Sequence, residues 1–168
     1  MAYTFFKSQE HDVGASLIQE EKLLLAKRLL ERCASKNVKV FLPTDHVAAT
    51  NPDEEPVITK ELTGDLKGFD IGPETVNLYG SVIARAATVF WNGPMGVFEM
   101  DAFARGTEAV ADAVAGSDAV SVVGGGDSLA AVNKLAVGDR ISHLSTGGGA
   151  ALEYIQGLEL PGVAALGR

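Results

Sequence analysis

The chain has 168 residues, 46% of them hydrophobic, and carries 14 basic against 22 acidic side chains for a net charge of −8. That length fits one domain with a proper core, and the acidic balance disfavours non-specific binding to nucleic acid or to an anionic membrane. The single cysteine, Cys33, excludes an intrachain disulfide and fits a reducing compartment as a small packed residue. No basic segment followed by an apolar stretch opens the chain, and no run approaches the roughly 18 apolar residues of a membrane helix. A soluble, cytoplasmic protein without nucleic-acid or membrane partners is the expectation.

Residues Met1 to about Gln9 read as a short helix with no capping residue before it, as if the chain starts inside an element. Ser16 to about Lys36 reads as the clearest helix, with Ser16 and Gln19 in a capping-box pattern. Ile18, Leu25, Leu29 and Cys33 share one face there, widened by Leu23, Ala26 and Leu30. Asn37 suits a left-handed helix end. Val38 to Leu42 reads as a strand stopped by Pro43, Asp45 to Ala49 as a second strand, and Val57 to Thr59 as a short third. Thr50 to Glu55 reads as a surface loop and Leu62 to Gly72 as irregular.

Pro73 opens a helix to about Ala86, with proline at its first position. Thr88 to Trp91 is a strand, followed by the turn Asn92-Gly93-Pro94. Phe98 to Ala115 carries a helix with Phe103, Thr107, Val110, Ala111 and Val114 inward. Two strand–glycine–helix units follow. The first is Ala119 to Val123 with Gly124-Gly125-Gly126-Asp127-Ser128. The second is Ile141 to Thr146 with Gly147-Gly148-Gly149-Ala150. A tail from Gly157 to Arg168 contains Pro161. Continuously apolar strands alternating with amphipathic helices predict a parallel sheet covered on both faces. Such sheets bind ligands beyond the carboxyl ends of their strands, where the turns after Trp91, Val123 and Thr146 all lie.

Glycine makes up 19 residues and clusters at the ends of apolar runs. Lacking Cβ, it lets backbone approach a ligand, and the helix start that follows offers unpaired N–H groups and a positive dipole end. Two such turns on parallel strands point to one polyanion site, most simply a nucleotide phosphate chain. A carboxylate beside that cradle would repel the ligand unless a divalent cation bridged them. Asp127 is thus a candidate Mg²⁺ ligand or, on the bland reading, a cap for a helix over Ser128 to about Leu135. Ser128 is a candidate phosphate donor. Asn92 places an amide at the ligand edge. Glu99 suits either a ribose hydroxyl or the first turn of a helix. His143 reads as a packed strand residue, and His11 and His46 as surface or loop residues. No Walker-type phosphate loop and no G-x-G-x-x-G occurs. Neither glycine turn contains Lys or Arg, and Lys134 lies too far along its helix to serve the phosphates, so the phosphoryl-transfer chemistry looks incomplete.

In chain order, Met1-Ala2-Tyr3-Thr4-Phe5, Leu42-Pro43-x-Asp45, Asp70 to Thr75, Trp91 to Glu99, Gly124 to Ser128, Ser142 to Ala150 and Leu160 to Leu166 resemble the C-terminal, nucleotide-binding half of phosphoglycerate kinase. The resemblance runs over essentially the whole chain. The family catalyses reversible phosphoryl transfer between 1,3-bisphosphoglycerate and Mg·ADP in glycolysis. The resemblance implies a doubly wound, Rossmann-like three-layer α/β fold and a site for ADP or ATP with Mg²⁺. It implies that Asp127 coordinates the metal, and that Gly125, Gly126 and Ser128 hold the phosphates. Asn92 would contact the phosphate chain, Glu99 the ribose, and Gly68 and Val97 the adenine. The Gly147–Gly148 turn would offer amides to the phosphoryl group in transit, which makes Gly125 and Gly148 the candidate catalytic positions.

Family members usually have Trp-Met-Gly-Leu-Asp where this chain has Leu66-Lys67-Gly68-Phe69-Asp70, so the adenine pocket is expected to differ at Lys67 and Phe69. Residues 1–168 are expected to form a single nucleotide-binding domain without its first strands. The N-terminal half that binds 3-phosphoglycerate or 1,3-bisphosphoglycerate in the family has no counterpart in these residues, and the chain alone is expected to be inactive. A reading of a different class is a non-catalytic nucleotide-binding or interaction module that docks Tyr3, Phe5 and Phe6 on a partner or a second copy. A third is a split enzyme whose other half is a separate chain.

Overall fold

A computed structural model describes residues 1–167. Helices α1 (Ala2–Ser8) and α2 (Leu23–Ser35) lead into strands β1 (His46–Ala49), β2 (Val57–Thr59) and β3 (Lys67–Ile71). Helix α3 (Pro73–Ile83), strand β4 (Thr88–Asn92), helix α4 (Arg105–Ala115) and strand β5 (Val120–Gly124) follow. Helix α5 (Gly126–Lys134), strand β6 (His143–Ser145) and helices α6 (Gly148–Ile155) and α7 (Pro161–Ala164) complete the order. The strands form two sheets. One is antiparallel in the order β2-β1-β3, and the other is parallel in the order β4-β5-β6.

The core lies on one face of the parallel sheet. Trp91, Ser121 and Val123 point to it from the strands, and Val110, Ala111, Val114, Ala131 and Val132 meet them from α4 and α5. Phe103, Val114, Val123 and Val132 are among the largest fully buried side chains. Each such burial contributes on the order of 1.5–3 kcal/mol. The expected inward stripe of α4 is thus confirmed. The opposite face is covered far less: Val120 is 58% exposed, Thr88 is exposed, and Phe90 and Val122 are only half-buried beside α6. The expected cover of helices on both faces is therefore present in full on one face alone.

Asp45 joins two distant sequence runs. Its carboxylate accepts the N–H of Glu74 at 2.9 Å and of Thr75 at 2.8 Å, and the Thr75 hydroxyl at 2.6 Å. The first turn of α3 is thus capped from another element, because its own N-cap, Gly72, has no side chain to do so. A Cβ at Gly72 would collide with that carboxylate. Burial pushes the Asp45 carboxyl up, yet these hydrogen bonds hold it below the ordinary carboxylate range.

Several local expectations are corrected. Ser16 and Gln19 form no capping box: the Ser16 hydroxyl accepts Gly68 N–H at 3.0 Å, and Gln19 N–H donates to Thr4 Oγ1 at 3.1 Å. The α-helix begins only at Leu23, and Leu25 and Leu29 are exposed, because Ala26, Leu23 and Leu30 turn inward instead. Asn37 does adopt the left-handed conformation, with φ 54°. Val38 to Leu42 makes no ladder and is irregular, whereas the region read as irregular contains β3. His46 is buried on β1 and His143 is exposed, the reverse of what was expected. Tyr3 and Phe6 pack against His46 at ring separations of 5.4 and 5.9 Å, and α1 packs on α2. Two of the three aromatics offered as a docking edge, Tyr3 and Phe6, thus have partners within the chain.

Candidate functional site

The parallel register brings Asn92, Gly124 and Ser145 level at the carboxyl edge of the sheet. The two glycine turns leave from that edge and meet. A Cβ at Gly148 would lie 2.9 Å from the Gly125 Cα and 3.1 Å from its nitrogen. Gly125 has φ +93°, which L side chains rarely adopt, and a Cβ there would also crowd the Asn92 amide at 3.3 Å. Helices α5 and α6 start at Gly126 and Gly148, so the N-terminal N–H groups of both open beside this contact. Gly125, Gly126, Gly147, Gly148 and Asn92 are thereby gathered in one place.

Asp127 stands exposed in the first turn of α5. Gly125 is the N-cap and no side chain caps the helix, so the capping reading of Asp127 is removed. Ser128 is fully buried, and its hydroxyl accepts the N–H of Gly93 at 2.6 Å. That bond fixes the turn after β4 to α5. The Trp91 indole N–H donates to the Gly93 carbonyl at 2.7 Å and closes the same turn from its other side.

The remaining candidates lie along one loop, residues 92–99, which is tied down at several points. Met95 and Gly96 N–H groups donate to the Thr107 hydroxyl at 3.0 and 3.3 Å. Val97 N–H donates to the Phe69 carbonyl at 2.9 Å, which ties the loop to β3 one residue past Gly68. Lys134 Nζ donates to the Phe98 carbonyl at 3.3 Å and stands 3.6 Å from Asp101. This lysine therefore anchors the loop and does not face the glycine turns. Glu99 is exposed in a turn just ahead of the short 3-10 helix Asp101–Phe103 and outside the first turn of α4, which begins at Arg105.

Two residues escaped the sequence reading. Leu17 is 89% exposed and follows Ser16, whose hydroxyl accepts Gly68 N–H at 3.0 Å, so the segment tied to β3 carries an open apolar side chain. Only the long-range bond to β3 reveals it. Asp70 is 3% exposed, and its carboxylate accepts Ile71 N–H at 2.8 Å and Gly106 N–H at 2.6 Å. It thus joins β3 to the start of α4, and Cβ atoms at Gly96 or Gly106 would strike it. Burial pushes its carboxyl up to about 6 despite those bonds, with Glu108 adding to the rise.

The site and fold are those of an α/β protein with a parallel sheet flanked by helices and paired glycine turns at the carboxyl edge. A family profile described as phosphoglycerate kinase matches residues 1–158, and the chain belongs to that family. The phosphoglycerate kinase of Clostridium tetani is 51% identical over 170 residues, covering 99% of this chain and 42% of that enzyme. That of Clostridium perfringens is 52% identical over 169 residues, covering 99% of this chain and 43% of the enzyme. The structure of phosphoglycerate kinase from Coxiella burnetii superposes with a TM-score of 0.90 at 44% identity, over 94% of this chain and 42% of that one. The enzyme from Pyrococcus horikoshii OT3 gives a TM-score of 0.83 at 31% identity, over 98% and 42%. The chain thus spans less than half the length of these relatives. Among the described residues, no helix is long and apolar enough to cross a membrane.

Proposed function

We propose that the two glycine turns bind the phosphate chain of ADP or ATP with Mg²⁺, as the nucleotide-binding part of a phosphoglycerate kinase. The observation that carries this reading is the close backbone approach of Gly148 to Gly125 beside Asn92, which brings the starts of α5 and α6 together. N–H groups of residues 125–127 and 147–149 hold phosphate oxygens, and Asn92 adds its side-chain amide. Asp127 has an exposed carboxylate not consumed by a cap, and it takes the divalent ion. One carboxylate suffices, because Mg²⁺ keeps waters and phosphate oxygens for its other ligands. Ser128 acts by positioning, through Gly93, and not as a direct phosphate donor.

The nucleoside lies along the 92–99 loop, with adenine against Gly68, Val97 and Leu17 and ribose at Glu99. In the complete relative, the bound nucleotide exchanges a phosphoryl group with 1,3-bisphosphoglycerate, a glycolytic step in the cytoplasm. This chain brings amides but no Lys or Arg to the glycine turns. It therefore binds nucleotide without family-level turnover, since the charge developing in phosphoryl transfer needs a further cation.

Calorimetric titration of the 168-residue chain with ADP, with and without Mg²⁺ and beside Asp127→Ala, tests the reading. Mg²⁺-dependent binding that disappears in Asp127→Ala is expected. Absence of binding by a folded chain overturns it.

A further inference from the structure

Of the asparagines Asn37, Asn51, Asn77, Asn92 and Asn133, only Asn92 is followed by glycine. That dipeptide carries a reaction of its own. The backbone nitrogen after an asparagine can attack the side-chain amide carbon, and glycine, without Cβ, hinders the approach least. Val38, Leu78 and Lys134 crowd the same approach after their asparagines, and Pro52 has no N–H. Gly93 also has φ +107°, in the region that favours glycine, so the turn itself calls for the residue that makes Asn92 reactive. Asn92 ends β4 with an exposed side chain. Its amide lies over the first glycine turn, since a Cβ at Gly124 would stand 3.3 Å from Nδ2 and one at Gly125 3.3 Å from Oδ1. Among the described residues that amide has no hydrogen-bond partner.

The nucleophile is the restrained party. Gly93 N–H donates to the Ser128 hydroxyl at 2.6 Å, and the Gly93 carbonyl accepts the Trp91 indole N–H at 2.7 Å. Ser128 is fully buried on α5, so the first bond ties this nitrogen to another element. Attack requires the nitrogen to lose its proton and to turn toward the side chain before it. While its N–H is held by Ser128 Oγ it does neither.

We propose that Asn92 is a deamidation site latched by Ser128. When the Ser128–Gly93 bond opens, the Gly93 nitrogen attacks the Asn92 amide carbon. A new C–N bond closes a succinimide ring as the bond from that carbon to Nδ2 breaks, and the displaced nitrogen departs as ammonia with the proton that Gly93 gave up. Water then opens the ring at either carbonyl and leaves aspartate or isoaspartate, with no oxidant or reductant. A neutral amide becomes a carboxylate at the carboxyl edge of the sheet. The modification stands on local geometry and not on the nucleotide reading. Under that reading the new carboxylate repels a phosphate chain, so Mg·ADP binding falls with the modified fraction.

The test holds the full chain at mildly alkaline pH and follows conversion at each asparagine by mass-spectrometric peptide mapping. Native parent, guanidinium-unfolded parent and native Ser128→Ala are compared. Asn92 is expected to convert fastest of the asparagines in the unfolded chain and about tenfold or more slowly in the native parent. In Ser128→Ala it is expected to convert about fivefold faster than in the native parent, the gain in opening that follows from losing one hydrogen bond. Equal rates in native and unfolded parent, or in Ser128→Ala and parent, overturn the proposal, as does faster conversion at another asparagine. If Ser128→Ala does not fold, the parent decides. Amide exchange at Gly93 is read in denaturant below the unfolding transition, and Asn92 conversion is expected to rise in step with it. Faster Gly93 exchange at an unchanged rate of conversion overturns the proposal. Titration of the unmodified and converted forms with Mg·ADP scores the nucleotide reading apart: binding by neither sinks that reading and leaves the mass result standing.

Discussion

Gly148 and Gly125 touch backbone to backbone: a methyl on Gly148 would sit 2.9 Å from the Gly125 Cα. Neither atom is the end of a flexible side chain, so an alanine at Gly148 must push the two turns apart. An alanine at Gly125 adds strain of its own at φ +93°, on the order of 1–3 kcal/mol. Both variants are expected to lower the urea midpoint and to weaken Mg·ADP binding about tenfold or more. Gly126 and Gly149 supply the control, since a Cβ at either meets nothing within 4 Å. Alanine there leaves stability unchanged or raises it slightly. Equal behaviour of all four variants would show that the close approach of the turns is unimportant.

Ser128 is expected to act through Gly93. In Ser128→Ala the half-buried Gly93 N–H loses its partner, at a cost of about 1 kcal/mol. The only tryptophan in the chain, Trp91, reports the result, because its indole N–H is bonded to the Gly93 carbonyl. Loss of stability together with a red-shifted emission is expected. An unchanged spectrum in a destabilised protein would show that the turn after β4 does not depend on the serine.

What could be read from the sequence was local. The glycine turns, β4, β5 and the inward stripe of α4 follow from apolar periodicity and punctuation within a few residues, and the structure has them where periodicity puts them. Failures came where a distant partner decides. Ser16 looked like a cap and is held by Gly68, 52 residues away. Val38 to Leu42 looked like a strand and has no ladder, since a strand exists only when its neighbour does. Lys67 to Ile71 looked irregular and becomes β3 because β1 pairs with it. Of the site, Asn92, Gly125, Gly126, Asp127, Gly147 and Gly148 were visible as turn chemistry. The positioning role of Ser128 and the openness of Leu17 were not, because both arise from contacts across the fold.

Asp45 is expected to behave as a long-range cap. Asp45→Asn removes one acceptor from the three bonds its carboxylate makes to Glu74 and Thr75 and should destabilise by about 1–2 kcal/mol. Because the folded carboxyl lies below its ordinary value, the stability it contributes is complete above that value. It is lost as pH falls through the depressed one. Acid unfolding of Asp45→Asn should therefore lack that fall. A variant whose acid limb matches the parent would place the loss elsewhere.

Asp70 predicts the opposite slope in a separate window. Its folded carboxyl is raised to about 6 from a model-peptide value of 3.8, mainly by burial. The native chain thus binds a proton that the unfolded chain has already released between these values. The extra stability is full below 3.8 and is lost as pH rises through about 6. A gain on the order of 1–3 kcal/mol is expected on acidifying from neutral toward the lower value, before the Asp45 effect sets in. Asp70→Asn cannot titrate and should flatten this part of the profile. It still offers one oxygen to the Ile71 or Gly106 N–H, so it should fold. Urea midpoints of the parent and the variant across this window decide the matter. Parallel curves for the two would show that the buried carboxyl stays ionised, held by its two backbone donors against the cost of burial.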